Sequence, residues 1–228
     1  MKKQILSIAS IALVAGALVM SGCKKDDITA PEITLVGDAS VTVTLNASYT
    51  DAGATANDDR DGDLTTKVSV DVSAVDKDLA GTYTVTYTVT DEAGNEGSAT
   101  RTVIVKNDAD AWSGSYSANE TDAGGPYTYV QPTVVEASKT VNNRIIMTRL
   151  GDFANNTVYM NITGTAIDLP SQTVSNVGTG GAQCDVHNRM SSGTGSKTGT
   201  GFTLTYSDSK VAPCSGSRAS VAATFTKQ

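Results

Sequence analysis

The side chains best suited to chemistry in this 228-residue sequence lie in one acidic segment, residues 57–63. The segment places four carboxylates and an amide around a glycine, in the order Asn57-Asp58-Asp59-Arg60-Asp61-Gly62-Asp63. Calcium is bound in proteins by about six to eight oxygen ligands, which carboxylates and amides supply. The spacing therefore raises the hypothesis of a calcium site whose ligands are Asn57, Asp59, Asp61 and Asp63.

A polar loop without a metal is the alternative for this segment. A helix–loop–helix calcium site that began at Asn57 would need a bidentate Glu at position 68, where the sequence has Val68. Asp side chains in loops also accept hydrogen bonds from nearby backbone amides and so stabilise turns. We favour the polar loop, and calcium is the one cofactor that the sequence suggests.

Cys23 is a second residue with a specific chemistry. It follows a leader with Lys2 and Lys3 at its start and an apolar run from Ile5 to Val19 that is short for a membrane span. Met20-Ser21-Gly22-Cys23 resembles the lipobox of bacterial lipoproteins, with Met where that family most often has Leu. The resemblance implies cleavage after residue 22 and attachment of lipid to Cys23; the alternative is an ordinary secretory signal peptide.

The residues after Cys23 carry a further signal. Lys24-Lys25-Asp26-Asp27 resembles the export signal that sends some lipoproteins of Gram-negative bacteria to the outer face of the outer membrane. The same residues also suit a solvated tether. We therefore predict a protein held in the outer membrane by its lipid, facing the cell exterior, with residues 23–28 as the tether.

The other two cysteines predict a disulfide. Cys184 and Cys214 form an even pair in an exported chain, where disulfides persist. A disulfide that closes the loop between Cys184 and Cys214 stabilises the folded state by about 3 to 4 kcal/mol in the chain-entropy model. A metal site built on Cys184, His187 and Cys214 is the alternative, but zinc sites take four ligands, or three with a reactive water, and the sequence has one histidine.

Aromatic residues in the second half of the chain could bind sugar rings. Trp112, Tyr127 and Tyr129 are the candidates for a stacking surface on a polysaccharide or a contact surface for a protein partner. Alternate aromatic residues on a strand face the core more often, and this reading is favoured for a chain with 5% aromatic residues.

Motifs of the main enzyme classes are absent from the sequence. It has no Gly-x-Ser-x-Gly elbow, no His-Glu-x-x-His pair and no phosphate-binding glycine loop. Paired carboxylates could serve a glycan-processing hydrolase, but acidic residues are frequent enough for chance pairs. We therefore expect a non-catalytic protein.

Charge divides the chain into two parts. Residues 24–108 carry 16 acidic and 7 basic residues, whereas residues 109–228 carry 8 of each. This shift predicts a domain boundary near residues 106–108. An acidic chain without basic clusters is also a poor ligand for nucleic acid, so we predict no nucleic-acid partner.

Residues 29–106 show the alternation of β-strands. In Thr82–Thr90 the apolar side chains recur at every second position, and turn residues at 91–95 lead to a partner strand at 100–105. Several short strands without a helical period predict a β-sandwich. Motifs including Tyr49-Thr50-Asp51-Ala52-Gly53, Asp61-Gly62-Asp63-Leu64-Thr65 and Asp91-Glu92-Ala93-Gly94-Asn95 resemble the bacterial immunoglobulin-like domains of surface lipoproteins and some pesticidal crystal proteins. This resemblance implies a rigid spacer or adhesion module.

Residues 109–228 predict a second antiparallel β domain, a meander that forms a small barrel or a sandwich. Glycine-rich segments at 180–181, 193–195 and 199–201 are predicted to be turns. The core is predicted to draw on eleven residues, namely Trp112, Tyr116, Ile145, Met147, Val158, Met160, Ile162, Phe202, Leu204, Tyr206 and Phe225. A C-terminal β domain of small surface lipoproteins, which has no assigned activity, is similar to three segments of this part of the chain: Ile167–Thr173, Gly199–Tyr206 and Ala223–Lys227.

Together these observations predict an all-β surface lipoprotein. Residues 1–22 are its signal peptide, residues 29–106 a spacer and residues 109–228 the domain presented for binding or adhesion. A purely structural protein of the cell envelope is the main alternative.

Overall fold

Two β domains follow one another in the computed structural model, which describes residues 26–152, 157–177, 186–210 and 217–228. Strands and short 3-10 helices are the regular elements of these residues, so the predicted all-β class is confirmed. The first domain contains β1 (Glu32–Leu35), β2 (Ser40–Thr44), β3 (Ala54–Asp58), β4 (Gly62–Asp63), β5 (Ser69–Asp71), β6 (Gly81–Thr90) and β7 (Glu96–Lys106). The second contains β8 (Gly114–Asp122), β9 (Gly125–Thr128), β10 (Thr133–Ala137), β11 (Arg144–Thr148), β12 (Thr157–Thr163), β13 (Ala166–Val177), β14 (Val186–Lys197), β15 (Gly201–Lys210) and β16 (Ser217–Lys227).

The first domain is a sandwich of two sheets. One sheet has the strand order β1-β3-β4, and the other has the order β2-β7-β6-β5 with β2 parallel to β7. The alternation of β6 directs Val85, Tyr87 and Val89 into the core, where each is at most 2% exposed. The threonines between them face outward or the domain edge, as β-branched polar residues on a pleated surface do.

One buried ion pair ties the two sheets of the sandwich together. Arg101 on β7 is 1% exposed, and its Nη1 donates to Asp51 Oδ2 at 2.7 Å. The hydroxyls of Tyr49 and Tyr87 donate to the same oxygen at 2.5 and 2.6 Å. Burial would raise the pKa of the Asp51 carboxyl, but these hydrogen bonds, one from the Gly53 amide and the charge of Arg101 outweigh it and lower the pKa below 3.8.

The second domain is a closed antiparallel barrel. Its strands run β10 to β16 in sequence order, β16 pairs with β8, and β8 pairs with both β9 and β10. β9 and β10 both pair with β8 and together act as one interrupted strand. Counted in this way, eight strands form the closed barrel. The meander barrel is therefore the correct form of the two that the sequence allowed.

Side chains fill the interior of this barrel. All eleven residues predicted for its core are buried, with exposures between 0 and 6%. Phe202 stacks on Phe225 with ring centroids 4.6 Å apart, and Tyr116 meets Phe202 edge to face at 5.2 Å. The barrel interior is consequently a packed hydrophobic core.

The predicted turn at residues 193–195 is wrong. Gly193 and Gly195 lie inside β14, opposite Tyr206 and Leu204 of β15. A Cβ at Gly195 would overlap the carbonyl oxygen of Thr203. These glycines therefore let the two strands approach closely where the sheet curves, a role that glycine has in small barrels.

A hydrogen-bonded joint connects the two domains. Asn107 is 1% exposed, and its Nδ2 donates to the carbonyls of Ser138 and Val141 at 2.8 and 2.9 Å. The side chain of Asn46 on the sandwich accepts a hydrogen bond from the Asn142 amide at 2.9 Å. The amide of Ala80 donates to the Lys139 carbonyl at 2.7 Å. The β10–β11 loop is thus bound to the base of the sandwich through both backbone and side chains.

Among the residues that the structure describes, no helix is both long and apolar enough to cross a membrane.

Candidate functional site

Three aspartates converge at one end of the sandwich. Asp27 precedes β1, Asp58 ends β3, and Asp91 directly follows β6. One carboxylate oxygen of each lies within 4.8 Å of one from each of the other two. We call Asp27, Asp58 and Asp91 the aspartate cluster. Three carboxylates at such distances repel one another unless cations or hydrogen-bond donors compensate them.

Asp58 is the most buried member of the cluster. It is 3% exposed, and its Oδ1 accepts hydrogen bonds from the amides of Arg60 and Asp61 at 2.9 and 2.8 Å. These bonds fold the chain after β3 into a tight turn. Its Oδ2 is buried and has no hydrogen-bond partner among the described residues. A buried carboxylate oxygen without a partner is rare, because its desolvation is not compensated.

The turn between β6 and β7 positions Asp91. The Asn95 amide donates to Asp91 Oδ1 at 2.8 Å, and Asn95 Nδ2 donates to Oδ2 at 2.7 Å. Gly94 has a φ of 94°, the left-handed backbone that glycine adopts without strain. Burial would raise the pKa of the Asp91 carboxyl, but the hydrogen bonds from Asn95 and the turn amides outweigh it and lower the pKa.

The segment before β1 brings Asp27 to the other two aspartates. Asn95 Nδ2 also donates to the Asp27 carbonyl at 3.3 Å, which attaches this segment to the β6–β7 turn. Asp27 Oδ1 accepts from the Thr29 amide at 3.2 Å. Arg60 Nε lies 3.8 Å from Asp27 Oδ2 and offsets part of the negative charge. Asp27 is therefore the member that joins the N-terminal segment to the domain.

None of the four calcium ligands suggested by the sequence belongs to this cluster. Asp61 Oδ2 accepts from the Glu92 amide at 2.6 Å, and Asp63 Oδ1 accepts from the Thr65 amide at 2.9 Å. Hydrogen bonds from the Thr65 side chain and amide lower the pKa of Asp63. Asn57 and Asp59 are exposed. Asp61 and Asp63 thus make the turn-stabilising bonds of the alternative interpretation.

Sequence reasoning missed the cluster because its members are more than 30 positions apart. Asp58 was recognised in the sequence as part of the acidic segment, and Asp91 as the first residue of a turn motif. Neither pattern indicates that the two residues are neighbours in space. The pairing of Asp58 with Asp91 depends on how the two sheets of the sandwich pack.

The three aromatic candidates occupy different environments. Trp112 is 4% and Tyr129 is 7% exposed, and both pack in the barrel core. Tyr127 is 49% exposed on β9, although it lies two positions from Tyr129. The strand is interrupted after Thr128, which separates the environments of the two tyrosines. Of the three aromatics, Tyr127 has the most exposed side chain, and its ring lies against Tyr129 with centroids 6.3 Å apart.

All three cysteines lie outside the described residues, so the lipid on Cys23 and the bond between Cys184 and Cys214 stay predictions. Strands β13 and β14 meet at the pair Val177 and Val186, and β15 and β16 meet near Ser209 and Ser217. Because β14 and β15 are antiparallel neighbours, these two strand pairs end at the same end of the barrel.

A buried polar network lies near that end of the barrel. Glu120 is 3% exposed and accepts hydrogen bonds from the hydroxyls of Tyr129 and Tyr206. Arg218 Nη1 donates to Glu120 at 3.1 Å, and its Nη2 donates to Asp208 at 2.6 Å. Burial, with the charge of Glu120, raises the pKa of both tyrosines. Both hydroxyls therefore stay protonated as donors, and Arg218 offsets part of the negative charge of Glu120 and Asp208.

Residues 33–105 match the family model described as bacterial surface protein, Ig-like domain. This segment is a bacterial surface immunoglobulin-like domain. The match ends within one residue of the Lys106 end of β7 and confirms the family that the sequence motifs resembled. It supports a location at the bacterial cell surface.

Two solved structures are similar to the chain at low identity. A crystal structure of a lipoprotein from Bacteroides thetaiotaomicron shares 17% identity, with a TM-score of 0.33 over 87% of this chain and 100% of that one. A structure of Clostridium perfringens ZmpB, with its CBM51-2 in complex with GlcNAc and INT domains, shares 16% identity. Its TM-score is 0.28, over 86% of this chain and 44% of that one. No curated protein matches the chain.

Proposed function

We propose that the protein is a non-catalytic lipoprotein of the outer membrane, anchored through Cys23 and facing the cell exterior. The immunoglobulin-like domain is its spacer, and the barrel is the part held outward for binding to a polysaccharide or a surface protein. The match of residues 33–105 to a bacterial surface domain is the observation that carries this proposal.

The joint between the domains supports the spacer role. A spacer transmits position only when its connection to the presented domain is stiff. Asn107 is buried at the joint, and loop residues Ser138 to Asn143 bond to it through backbone and side-chain groups. A joint with buried, satisfied polar groups has one preferred geometry, because other geometries leave those groups unpaired.

The exposed side chains of the β9–β10 region are the proposed contact surface. Tyr127, Val130 and Val134 are 49, 75 and 42% exposed. Exposed aromatic and apolar side chains in one region of a surface are typical of binding sites for sugars and proteins.

Replacing Cys23 by Ser tests the anchor. The variant keeps the leader but lacks the thiol, so we expect loss of labelling by radioactive palmitate and release of the protein from membranes. The matched control is Met20→Leu, which restores the commoner lipobox residue and should label like the parent. Unchanged labelling of the Cys23→Ser protein would contradict the anchor.

Glycan-array binding by the soluble mature chain, residues 24–228, tests the proposed recognition. Tyr127→Ala should weaken binding, and Val70→Ala, which removes an exposed apolar side chain on the sandwich, should not. Absence of binding to any polysaccharide, together with no protein partner in a pull-down from the cell surface, would favour the purely structural role in the envelope.

A further inference from the structure

We propose that Asp27, Asp58 and Asp91 bind a calcium ion, which fixes the N-terminal tether against the immunoglobulin-like domain. This site differs from the ligand set suggested by residues 57–63, since it shares none of those four ligands. It draws one ligand from each of three separate segments of the chain.

The charge of the cluster is the first argument. Three carboxylate oxygens lie within 4.8 Å of one another, and the Arg60 Nε atom lies 3.8 Å from Asp27 Oδ2, at the limit of an ion pair. Asn95 donates to Asp91 but adds no positive charge. A divalent cation at the centre of the three carboxylates removes their mutual repulsion.

The second and independent argument is the orphaned oxygen of Asp58. Its Oδ1 is occupied by two backbone amides, so Oδ2 is the oxygen that remains available to a cation. The residue is 3% exposed, and bulk solvent does not replace the missing partner. Buried polar atoms are almost always satisfied. A cation bound by Oδ2 supplies the missing interaction.

The donor set selects the class of metal. All three side chains offer carboxylate oxygens, and none of the three members is His or Cys, which zinc and copper prefer. Calcium accepts carboxylates in irregular arrangements and completes its shell with water and carbonyl oxygens. Magnesium requires near-ideal octahedral geometry and keeps most of its water. We therefore assign the site to calcium.

The position of Asp27 gives the site its consequence. Asp27 is four residues after Cys23, whereas Asp58 and Asp91 belong to the ends of β3 and β6. A bound calcium ion would therefore join the tether to the domain at a position close in sequence to the proposed anchor residue. The argument for calcium binding depends only on the geometry of the aspartate cluster. Its effect on the orientation of the domain at the membrane rests on the proposed lipid anchor.

Thermal unfolding and calorimetric titration of the soluble chain, residues 24–228, test the proposal. After treatment with a chelator, added calcium chloride should raise the Tm progressively with concentration, because a ligand that binds only the folded state stabilises it by mass action. Asp27→Asn and Asp58→Asn should abolish both this shift and the heat of binding. Asn at position 58 keeps one side-chain oxygen for the amides of residues 60 and 61, so the turn is retained.

Asp59→Asn is the matched control, since Asp59 is exposed, adjacent in sequence and outside the cluster. It should respond to calcium like the parent chain. Amide exchange of residues 26–31 should slow with calcium in the parent and in Asp59→Asn, but not in Asp58→Asn. This readout reports on the tether itself, which a general gain of stability would not single out.

Three results would overturn the assignment. They are a folded parent chain whose Tm and heat do not respond to calcium, a response to magnesium alone, and loss of the response in Asp59→Asn while Asp27→Asn retains it. Asp27 precedes the first strand, so its variant tests the site without disturbing the sandwich. Release of the Cys23→Ser protein from membranes is measured without calcium. Failure of the anchor proposal and failure of the calcium proposal are therefore distinguishable.

Discussion

Buried charged residues in this protein differ in how completely they are satisfied. Arg101 and Asp51 in the sandwich, and Glu120 with Arg218 in the barrel, have charged partners and additional hydrogen bonds. Asp58 Oδ2 has no such partner among the described residues. Buried ion pairs add little net stability when complete, but removing one partner costs about 3 to 5 kcal/mol because the other charge remains buried.

The Asp51 carboxyl predicts a loss of stability in acid. Its pKa in the folded state lies below 3.8, so its contribution is present above that pH and is lost as the pH falls through the lowered value. We expect the free energy of unfolding to decrease below about pH 4, as measured by urea denaturation across pH. In Asp51→Asn this decrease should be smaller. If the free energy of unfolding of the variant falls as steeply in acid as that of the parent chain, the assignment to Asp51 is refuted.

Strand β14 shows how an element can depend on residues that weaken it locally. Glycine is unfavourable in strands because it loses much conformational freedom on folding. Gly193 and Gly195 are nevertheless required where β14 meets β15, because a side chain at either position would overlap the backbone of the neighbouring strand. The same residues had favoured a turn in the sequence, since glycine-rich segments usually end strands.

Gly195→Ala should therefore destabilise the barrel. The added Cβ overlaps the Thr203 carbonyl, and overpacking of this kind costs about 1 to 3 kcal/mol. Gly199→Ala is the matched control, because a Cβ there meets open space, and its effect should stay within about 0.5 kcal/mol. Chemical denaturation measures both; equal stabilities of the two variants would contradict the close approach.

At the scale of the whole molecule, the joint determines whether the two domains act as one body. The boundary predicted at residues 106–108 coincides with the end of β7 and the start of the 3-10 helix Asp108–Trp112. Asn107 occupies this boundary, and its side chain bonds to backbone groups of the second domain at Ala109, Ser138 and Asn143. A residue at the domain boundary that the charge pattern predicted is thus buried and structural.

Asn107→Ala should uncouple the domains. It leaves the Ser138 carbonyl and the Asn143 amide without their side-chain partner, at a cost of about 1 to 3 kcal/mol for each buried group that stays unpaired. Differential scanning calorimetry should then resolve two transitions, or a wider one, where the parent chain unfolds cooperatively. Asn142→Ala removes two hydrogen bonds with Asp108 at the exposed rim and should have a smaller effect. Identical traces for the two variants would show that Asn107 does not couple the domains.

Local pattern was sufficient to predict the class of fold and the core of each domain. Apolar residues at every second position placed Val85 and Tyr87 in the sandwich and Phe202 and Leu204 in the barrel, and all four are at most 1% exposed. This works because alternation in a strand is a property of neighbouring residues and survives any arrangement of the strands. The motifs of residues 29–106 likewise carried the family.

Contacts between distant segments were beyond the reach of local pattern. The closure of the barrel depends on β8 pairing with both β10 and β16, and the aspartate cluster depends on three segments meeting at one end of the sandwich. Tyr127 and Tyr129 share a strand parity, yet one is exposed and the other buried because the strand is interrupted between them. Such outcomes are decided by register, interruption and packing between strands, which exist only after the chain has folded.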